Sequence, residues 1–214
     1  MAGVTPYYEH AGITIYHGDC RDVFDEWEGL RIHAFDLLLT DPPYGHGEKW
    51  SGGTWASHPM YTDARRWDRK LPSSHLLEWV NLCEHAIIWG GNYYRLPPNR
   101  CWLAWMKTTP MATLADFELA WTNFDRPAKC RWENRNSDGP RWHPTQKPEG
   151  LMRWCLRFVP DARSLIDPFL GSGSSLVAAK AMGLRAVGID IEERYCEIAA
   201  QRLAQEVLPL ELGA

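Results

Sequence analysis

Four consecutive residues, Asp41-Pro42-Pro43-Tyr44, combine a carboxylate, two prolines and an aromatic ring. They follow the apolar run 35–40, which predicts a buried strand. Proline has no N–H for a sheet ladder and disfavours a helix in the residue before it, so the chain must leave the sheet at Asp41. In open α/β sheets, ligands bind beyond the carboxyl ends of the strands. The tetrapeptide therefore predicts a ligand-binding turn; the simpler alternative is a strand followed by a proline-stiffened turn.

These groups suit methyl transfer to an exocyclic amine of a nucleobase. Such a nitrogen is a poor nucleophile because its lone pair is delocalised into the ring. Two acceptors that bind both N–H groups favour a tetrahedral nitrogen and free the lone pair. The Asp41 carboxylate and the Pro42 carbonyl are the predicted acceptors. Tyr44 is predicted to stack on the base, because an enzyme that acts on a base must first extract it from the helix.

A second segment, residues 164–175, joins a short apolar strand to the glycine-rich turn Asp167-Pro168-Phe169-Leu170-Gly171-Ser172-Gly173. The glycines permit a tight turn and close approach by a ligand, and the following helix start has free N–H groups. The next strand, 185–190, ends in Asp190, an acid at the spacing that holds ribose hydroxyls. This succession predicts a nucleoside-binding unit. Leu176 occupies the third glycine position of G-x-G-x-x-G, which counts against NAD and leaves room for S-adenosylmethionine.

Composition and pattern predict one α/β domain, residues 1–214. The chain has 214 residues and is 45% apolar, enough for an ample core. No apolar stretch approaches about 18 residues, and residues 1–10 do not resemble a secretory signal, so we expect no membrane span. The scattered cysteines predict reduced, mostly buried thiols in a cytoplasmic protein and no zinc site. They are Cys20, Cys83, Cys101, Cys130, Cys155 and Cys196.

Hydrophobic periodicity predicts the elements that must position these motifs. We expect a mostly parallel twisted sheet with helices on both faces. The predicted strands are 12–20, 35–40, 86–89, 102–106, 117–121, 129–132, 164–167 and 185–190, with 117–121 and 129–132 as a hairpin pair. The predicted helices are 23–30, 73–84, 148–158, 174–183 and 192–206. Residues 45–70 have no strong period and predict a long loop of the kind that is usually functional or mobile.

The order of four motifs resembles that of the β-class DNA amino-methyltransferases. D-P-P-Y at 41–44 is followed by Ile-Trp-Gly-Gly-Asn at 88–92, His-Pro-Thr-Gln-Lys-Pro at 143–148 and the glycine turn at 167–173. In that class D-P-P-Y precedes the cofactor glycine motif, and its cell-cycle adenine methyltransferases carry a similar H-P-T-Q-K-P segment. Short solitary members of phage type are the most similar. The resemblance implies the Rossmann-like fold of S-adenosylmethionine-dependent methyltransferases and S-adenosylmethionine as cofactor.

The resemblance also assigns roles in the cofactor site. Asp19 would contact the cofactor's adenine, residues 145–147 its methionine carboxylate, and Phe169 its adenosyl face. The alternatives are a helix cap for Asp19, a polar loop for 145–147 and a core position for Phe169. The predicted cofactor-binding residues are Asp19, Cys20, Asp41, Thr145, Gln146, Lys147, Asp167, Pro168, Phe169, Gly171, Ser172, Gly173, Ser174 and Asp190. The predicted catalytic residues are Asp41, Pro42, Pro43 and Tyr44.

Double-stranded DNA is the expected partner, and the class suggests a homodimer. Target recognition is predicted between 107 and 142, between a catalytic half, 1–106, and a cofactor half, 143–214. That interval is short, so we expect a short or degenerate target. The net charge of -4 predicts weak non-specific binding that salt suppresses. The candidate DNA contacts are Lys49, Trp50, Arg65, Arg66, Asn134, Arg135, Asn136 and Arg141, with Trp55 and Trp67 as further candidates for stacking on bases.

The predicted reaction is methylation of the adenine N6 amino group. The resemblance links an Asp in the first motif position to adenine enzymes and a Ser more often to cytosine enzymes. No metal is expected, because a sulfonium carries its own activation. Three alternatives remain: methylation of cytosine N4, methylation of RNA or a small molecule, and a nucleic-acid-binding relative that has lost turnover.

Overall fold

The computed structural model describes residues 5–26, 34–47, 67–109, 115–138 and 142–205. Nine strands and five α-helices lie in this part of the chain. The strands are β1 Tyr8–His10, β2 Ile13–His17, β3 Phe35–Thr40, β4 Cys83–Trp89, β5 Trp102–Lys107, β6 Phe117–Thr122, β7 Lys129–Glu133, β8 Ser164–Asp167 and β9 Arg185–Asp190. The helices are α1 Cys20–Glu26, α2 Ser73–Asn81, α3 Glu149–Leu156, α4 Ser174–Ala181 and α5 Glu193–Ala204, with a 3-10 turn at Gly91–Tyr93.

The strands form one mixed sheet in the order β1-β2-β9-β8-β3-β4-β6-β5-β7. Strands β2, β9, β8, β3 and β4 are mutually parallel, and β7 is parallel to β5. Strand β6 is antiparallel to both β4 and β5. The carboxyl ends of seven strands therefore share one edge, and β6 begins there. The predicted mostly parallel sheet is confirmed, and its edge gathers residues that are distant in the chain.

Strand β3 is the centre of the sheet and is buried on both faces. Leu38 pairs with Ala86 of β4 and with Ile166 of β8. Leu37 and Leu39 belong to one core cluster and Leu38 to the other. Each buried leucine stabilises the fold by about 1.5–3 kcal/mol. A continuous apolar run suits a parallel strand that is covered on both sides.

Helices cover both faces of this central part. Helices α3, α4 and α5 supply Leu151, Leu176 and Cys196 to one cluster. Helices α1 and α2 supply Val23 and Trp79 to the other. The predicted packing of helices on both faces is therefore confirmed.

Two predicted elements are wrong in their pairing or extent. Strands β6 and β7 are not a hairpin: both edges of β6 are occupied, by β4 and β5, and β7 pairs with the far edge of β5. The helix predicted to run to residue 84 ends at Asn81, and Cys83 already pairs with Phe35 in the sheet. Leu82 continued the apolar helical period, but parallel pairing with β3 overrides it. The strand predicted over 12–20 ends at His17, and the helix predicted to begin at 23 already begins at Cys20; strand β1 was not predicted.

The cysteines agree with the expectation of free, mostly buried thiols. Five are buried and Cys130 of β7 is exposed. Within the described ranges, no helix has the length and apolar character needed to cross a membrane.

Candidate active site

A cavity of about 540 Å³ opens at the carboxyl edge of the sheet. Its volume lies in the usual range for small-molecule sites. Its walls include all four predicted catalytic residues, 41–44, and every predicted cofactor-binding residue except Gly173. Gly173 instead packs against α5, where an added Cβ would lie 2.8 Å from the Ala199 Cβ. The structure thus brings together residues that the sequence separates by more than 170 positions.

The glycine turn forms one wall of the cavity, between β8 and α4. Gly171 has φ +53° and Gly173 has φ +83°, conformations that favour glycine. Gly173 is the N-cap of α4, so the helix begins directly beside the cavity. This turn presents backbone rather than side chain to a ligand.

Asp190, at the end of β9, stands beside the glycine turn. Its Oδ2 accepts a hydrogen bond from the Gly171 N–H at 2.7 Å, and its Oδ1 accepts one from the Glu192 N–H at 2.9 Å. Burial raises the pKa of Asp190 to about 7. A carboxylate offers about four lone-pair sites, so two backbone bonds leave acceptor capacity for a ligand.

Asp167, at the end of β8, ties the glycine turn to the catalytic strand. Its Oδ1 accepts from the Thr40 hydroxyl at 2.7 Å and from the Phe169 N–H at 3.1 Å, and its Oδ2 accepts from the Ser175 hydroxyl. Burial raises its pKa to about 6. Since Thr40 directly precedes Asp41, this cluster fixes where β3 ends.

Asp19 has the geometry of a helix cap as well as a place in the cavity wall. Its Oδ1 accepts from the backbone N–H and the Nε–H of Arg21, both at 2.9 Å, and Arg21 also binds Oδ2. The Arg21 hydrogen bonds lower the pKa of Asp19. The neighbouring Cys20 thiol is buried, which raises its pKa to about 12 and keeps it neutral. Both readings of Asp19, cap and cavity residue, are therefore compatible with its position.

The H-P-T-Q-K-P loop joins the glycine turn through Gln146. Gln146 Oε1 accepts from the Trp142 N–H at 2.9 Å and from the Ser172 hydroxyl at 3.3 Å. Thr145 Oγ1 lies 3.1 Å from His143 Nδ1. These bonds fix the loop beside the glycine turn, and Lys147 near its end reaches the catalytic turn.

Lys147 lines the cavity and forms an ion pair with Asp41. Its Nζ lies 2.5 Å from Asp41 Oδ2, 3.1 Å from Glu118 Oε2 and 3.2 Å from the Tyr44 hydroxyl. The side chain is 3% exposed. Burial favours the neutral amine, but Asp41 and Glu118 outweigh it and raise the pKa of Lys147.

Glu118, at the start of β6, shares this ammonium and binds a second one. Its Oε1 lies 2.7 Å from Lys107 Nζ. Burial favours the neutral carboxyl, but Lys147 and Lys107 hold the pKa of Glu118 down at about 2. Burial raises the pKa of Asp41 in spite of the Lys147 charge. Glu118 is therefore the more strongly ionised of the two carboxyl groups.

The D-P-P-Y turn is fixed at several points. Tyr44 donates its hydroxyl to Asp41 Oδ1 at 2.6 Å, and Tyr94 donates to the Pro43 carbonyl. The Pro42 carbonyl has no hydrogen-bond donor among the residues that the structure describes. The Pro42 carbonyl, next to Asp41 at the cavity wall, therefore has acceptor capacity remaining, whereas each Asp41 oxygen already accepts one hydrogen bond.

The Tyr44 ring packs against Gly90 of the Ile-Trp-Gly-Gly-Asn motif. Gly90 has φ +66°, and an added Cβ there would lie 2.0 Å from Tyr44 Cε1. The Tyr93 ring lies 4.9 Å from the Tyr44 ring, tilted by 30°. The glycine is therefore required for close approach as well as for its backbone conformation.

Sequence reasoning missed several residues of the cavity wall. Buried Asp68 accepts from the N–H groups of Gly45 and His46 at 3.0 and 3.1 Å and so holds the chain that follows Tyr44. The Trp67 ring, a candidate for stacking on bases, lies in the cavity wall, 4.8 Å from the His143 ring. Nothing in the sequence marks Asp68 except its place in the long loop after D-P-P-Y.

Only part of the predicted DNA-binding set can be placed. Asn134, Arg135 and Asn136 follow β7 at the cavity edge of the sheet, and the two asparagines are exposed. Lys49, Trp50, Trp55, Arg65, Arg66 and Arg141 lie outside the described residues. Among the side chains that can be placed, no cluster of three or more His, Cys, Asp or Glu could hold a metal ion.

Known proteins share both the sequence and the architecture. Residues 88–201, more than half of the chain, match the DNA methylase family of N6 and N4 methyltransferases. Type II methyltransferase M2.DpnII of Streptococcus pneumoniae is 26% identical, over 94% of this chain and 93% of that protein. Type II methyltransferase M.HpaI of Haemophilus parainfluenzae is 26% identical, over 87% of this chain and 74% of its own length.

Solved structures agree on the fold. The M1.HpyAVI-SAM complex has a TM-score of 0.58 at 19% identity and covers 90% of this chain and 100% of that chain. The cytosine-N4-specific PvuII DNA methyltransferase has a TM-score of 0.64 at 11% identity, over 96% of this chain and 91% of that chain. The family match covers more than half of the chain, and the four motifs occur in the β-class order. The chain therefore belongs to the DNA amino-methyltransferases, in their β class.

Proposed function

We propose that this protein transfers a methyl group from S-adenosylmethionine to the N6 amino group of adenine in double-stranded DNA. The observation that carries the proposal is the pairing of two acceptors, the Asp41 carboxylate and the Pro42 carbonyl, at the wall of a cavity that the glycine turn also lines. The family establishes DNA amino-methylation; the choice of adenine rests on the Asp in the first motif position.

The cavity residues fit S-adenosylmethionine. Asp190 retains acceptor capacity for ribose hydroxyls, and the Gly171 turn exposes backbone for close approach. Phe169 offers an aromatic surface in the same wall. When bound, this cofactor supplies a sulfonium methyl group as the electrophile.

The protein's own part is to prepare the amine. Asp41 and the Pro42 carbonyl accept its two N–H groups, which frees the nitrogen lone pair for attack. The Asp41 carboxylate also stabilises the positive charge that develops on nitrogen. Nitrogen must then lose a proton, and Asp41 is suited to receive it because burial raises its pKa. Tyr44 packs on the ring of the extrahelical base.

Target selection is assigned to residues 107–142. Asn134, Arg135 and Asn136 are exposed or half-buried at the edge where the cavity opens. Their side chains suit base edges, since Arg pairs with guanine and Asn with adenine. Strands β6 and β7 of this interval belong to the central sheet, so little of it is left for a separate recognition domain.

The test is expression in a host without DNA methylation, followed by sequencing that detects modified bases. We expect N6-methyladenine at a short sequence in cells with the wild-type protein and none in cells with Asp41→Ala. N4-methylcytosine would replace our choice of base. A genome without either modification, with the protein present and folded, would overturn the proposal.

A further inference from the structure

We infer that Glu118, which lies outside every recognised motif, is a positioning residue that governs how Lys147 is shared with Asp41 during methyl transfer. This inference rests on the proposed function, because it concerns the same reacting amine. It assigns a role to a half-buried carboxylate that the mechanism above does not use.

The geometry gives Lys147 two carboxylate partners at once. An ammonium has three N–H donors. Here the acceptors are Asp41 Oδ2 at 2.5 Å, Glu118 Oε2 at 3.1 Å and the Tyr44 hydroxyl at 3.2 Å. Every donor of Lys147 is therefore used, and the ammonium lies between the two carboxylates.

For Asp41 to accept an N–H group of the substrate, one of the hydrogen bonds that it accepts in this structure must weaken. Its Oδ1 already accepts the Tyr44 hydroxyl and its Oδ2 the Lys147 ammonium. An incoming amino group competes with these donors for the same oxygens. Glu118 Oε2 lies 3.1 Å from Lys147 Nζ, so the ammonium can shift toward Glu118 and away from Asp41 while a carboxylate still compensates its positive charge. An unpaired buried charge would otherwise be costly.

Charge balance gives Glu118 a second effect on the transition state. Asp41, Glu118, Lys147 and Lys107 together carry no net charge when all are ionised. The reacting nitrogen becomes positive as its bond to the methyl carbon forms, and a nearby uncompensated ammonium would oppose that charge. Glu118 neutralises one ammonium, so the negative charge of Asp41 remains able to stabilise the positive charge on the reacting nitrogen. Lys107 in turn compensates Glu118, with Oε1 and Nζ 2.7 Å apart and the lysine 9% exposed.

The sheet explains why a residue of β6 can do this. Strand β6 is antiparallel and begins at the edge where its neighbours end, with Glu118 paired opposite Trp105. Lys107 follows two residues later on β5, on the same face. Among the residues that the structure describes, the titratable groups that interact with Asp41 are Lys147, Glu118, Tyr44, Asp167 and Tyr94, and the two tyrosines are neutral.

The test compares Glu118→Gln in the wild-type background and in a Lys107→Met background. The amide keeps the size of Glu118 and can still accept from Lys147, but it leaves one uncompensated ammonium. We expect about a tenfold or greater loss of the single-turnover rate, with S-adenosylmethionine binding unchanged by calorimetry. In the Lys107→Met background the same substitution changes the net charge of the cluster from -1 to zero and leaves no uncompensated ammonium, so the fold-loss should be clearly smaller. Glu84→Gln, an exposed acid on β4, is the matched control.

Two outcomes would overturn the inference. One is a wild-type rate for Glu118→Gln; the other is the same fold-loss in both backgrounds, which would indicate a purely structural role. A wild-type protein that methylates no DNA would instead defeat the proposed function. A second readout does not depend on activity: NMR of labelled lysines should show a lower pKa for Lys147 in Glu118→Gln, and an unchanged pKa would contradict the sharing of the ammonium.

Discussion

Lys147 Nζ lies 2.5 Å from Asp41 Oδ2, although 106 positions separate the two residues in the chain. The contact joins the D-P-P-Y turn after β3 to the H-P-T-Q-K-P loop before α3. It depends on the parallel sheet, which brings the ends of β3 and β8 side by side. Two motifs that the sequence shows separately are therefore parts of one charged cluster.

The Asp41 carboxylate should be indispensable for chemistry but not for cofactor binding. Asp41→Asn keeps the shape of the side chain but removes the negative charge and turns one acceptor into a donor that faces Lys147. We expect a loss of about 10²–10³-fold in the single-turnover rate. Calorimetry should show S-adenosylmethionine binding within a few-fold of wild type. Near-normal turnover in this variant would mean that the reacting amine binds elsewhere.

Gly90 should be intolerant of any side chain because it touches the Tyr44 ring. In Gly90→Ala the new Cβ would lie 2.0 Å from Tyr44 Cε1, so the ring must move and methylation should fall steeply. Gly183→Ala is the matched control, since its φ is +75° and nothing lies within 4 Å of the added Cβ.

The two glycine variants share the backbone cost of a left-handed residue, about 1–2 kcal/mol. Thermal unfolding measures that common cost in stability. The methylation rates measure the additional effect of displacing the Tyr44 ring in Gly90→Ala. Equal activity in Gly90→Ala and Gly183→Ala would show that the Tyr44 position does not matter for the reaction.

Much of the cavity could be predicted from the sequence, because strand, turn and motif are local features. The strand 35–40 is found with its predicted bounds, and all but one of the predicted cofactor-binding residues line the cavity. Strand propensity does not reveal a strand's partner, so the β6–β7 hairpin was predicted wrongly.

The residues that sequence reasoning missed act through long-range contacts. Glu118 lies in an ordinary-looking strand, and only the antiparallel placement of β6 brings it to Lys147. Lys147 itself was recognised by its motif, but its contact with Asp41 required the sheet order. Asp68 is one acid in an irregular loop, and its bonds to Gly45 and His46 leave no local pattern.

Cofactor affinity should increase with pH between about 6 and 8. The folded-state pKa of Asp190 is raised to about 7 by burial, so the carboxyl is neutral below that pH and ionised above it. The ionised form is the stronger acceptor for ribose hydroxyls. Calorimetry of S-adenosylmethionine binding across this range should show tighter binding at the higher pH.

The control for that titration is Asp190→Asn, which has no ionisation in the range and should bind with little dependence on pH. Asp167, with a pKa of about 6, changes charge at the lower end of the range and is already held by Thr40 and Ser175. A pH dependence that persists unchanged in Asp190→Asn would exclude Asp190 as its source.

The bond between Thr40 and Asp167 should contribute measurably to stability. Thr40→Val removes the hydroxyl that donates to Asp167 Oδ1 at 2.7 Å. Thr40 is buried, with 1% of its surface exposed, so water cannot replace the lost donor. We expect the free energy of unfolding to fall by about 1–3 kcal/mol, measured by denaturant titration. Thr14→Val on β2, a half-buried position, is the control and should have a small effect. Equal effects of the two substitutions would show that the Asp167 bond adds nothing.

The most direct test of the account is incubation of purified protein with methyl-labelled S-adenosylmethionine and unmethylated DNA, followed by nucleoside digestion and mass spectrometry. The account predicts label in N6-methyldeoxyadenosine, and none when Asp41→Ala replaces the wild-type protein. Label confined to N4-methyldeoxycytidine would contradict the choice of base. The absence of label from every nucleoside, with cofactor bound, would contradict the assignment of Asp41 and Pro42 as the site of amine methylation.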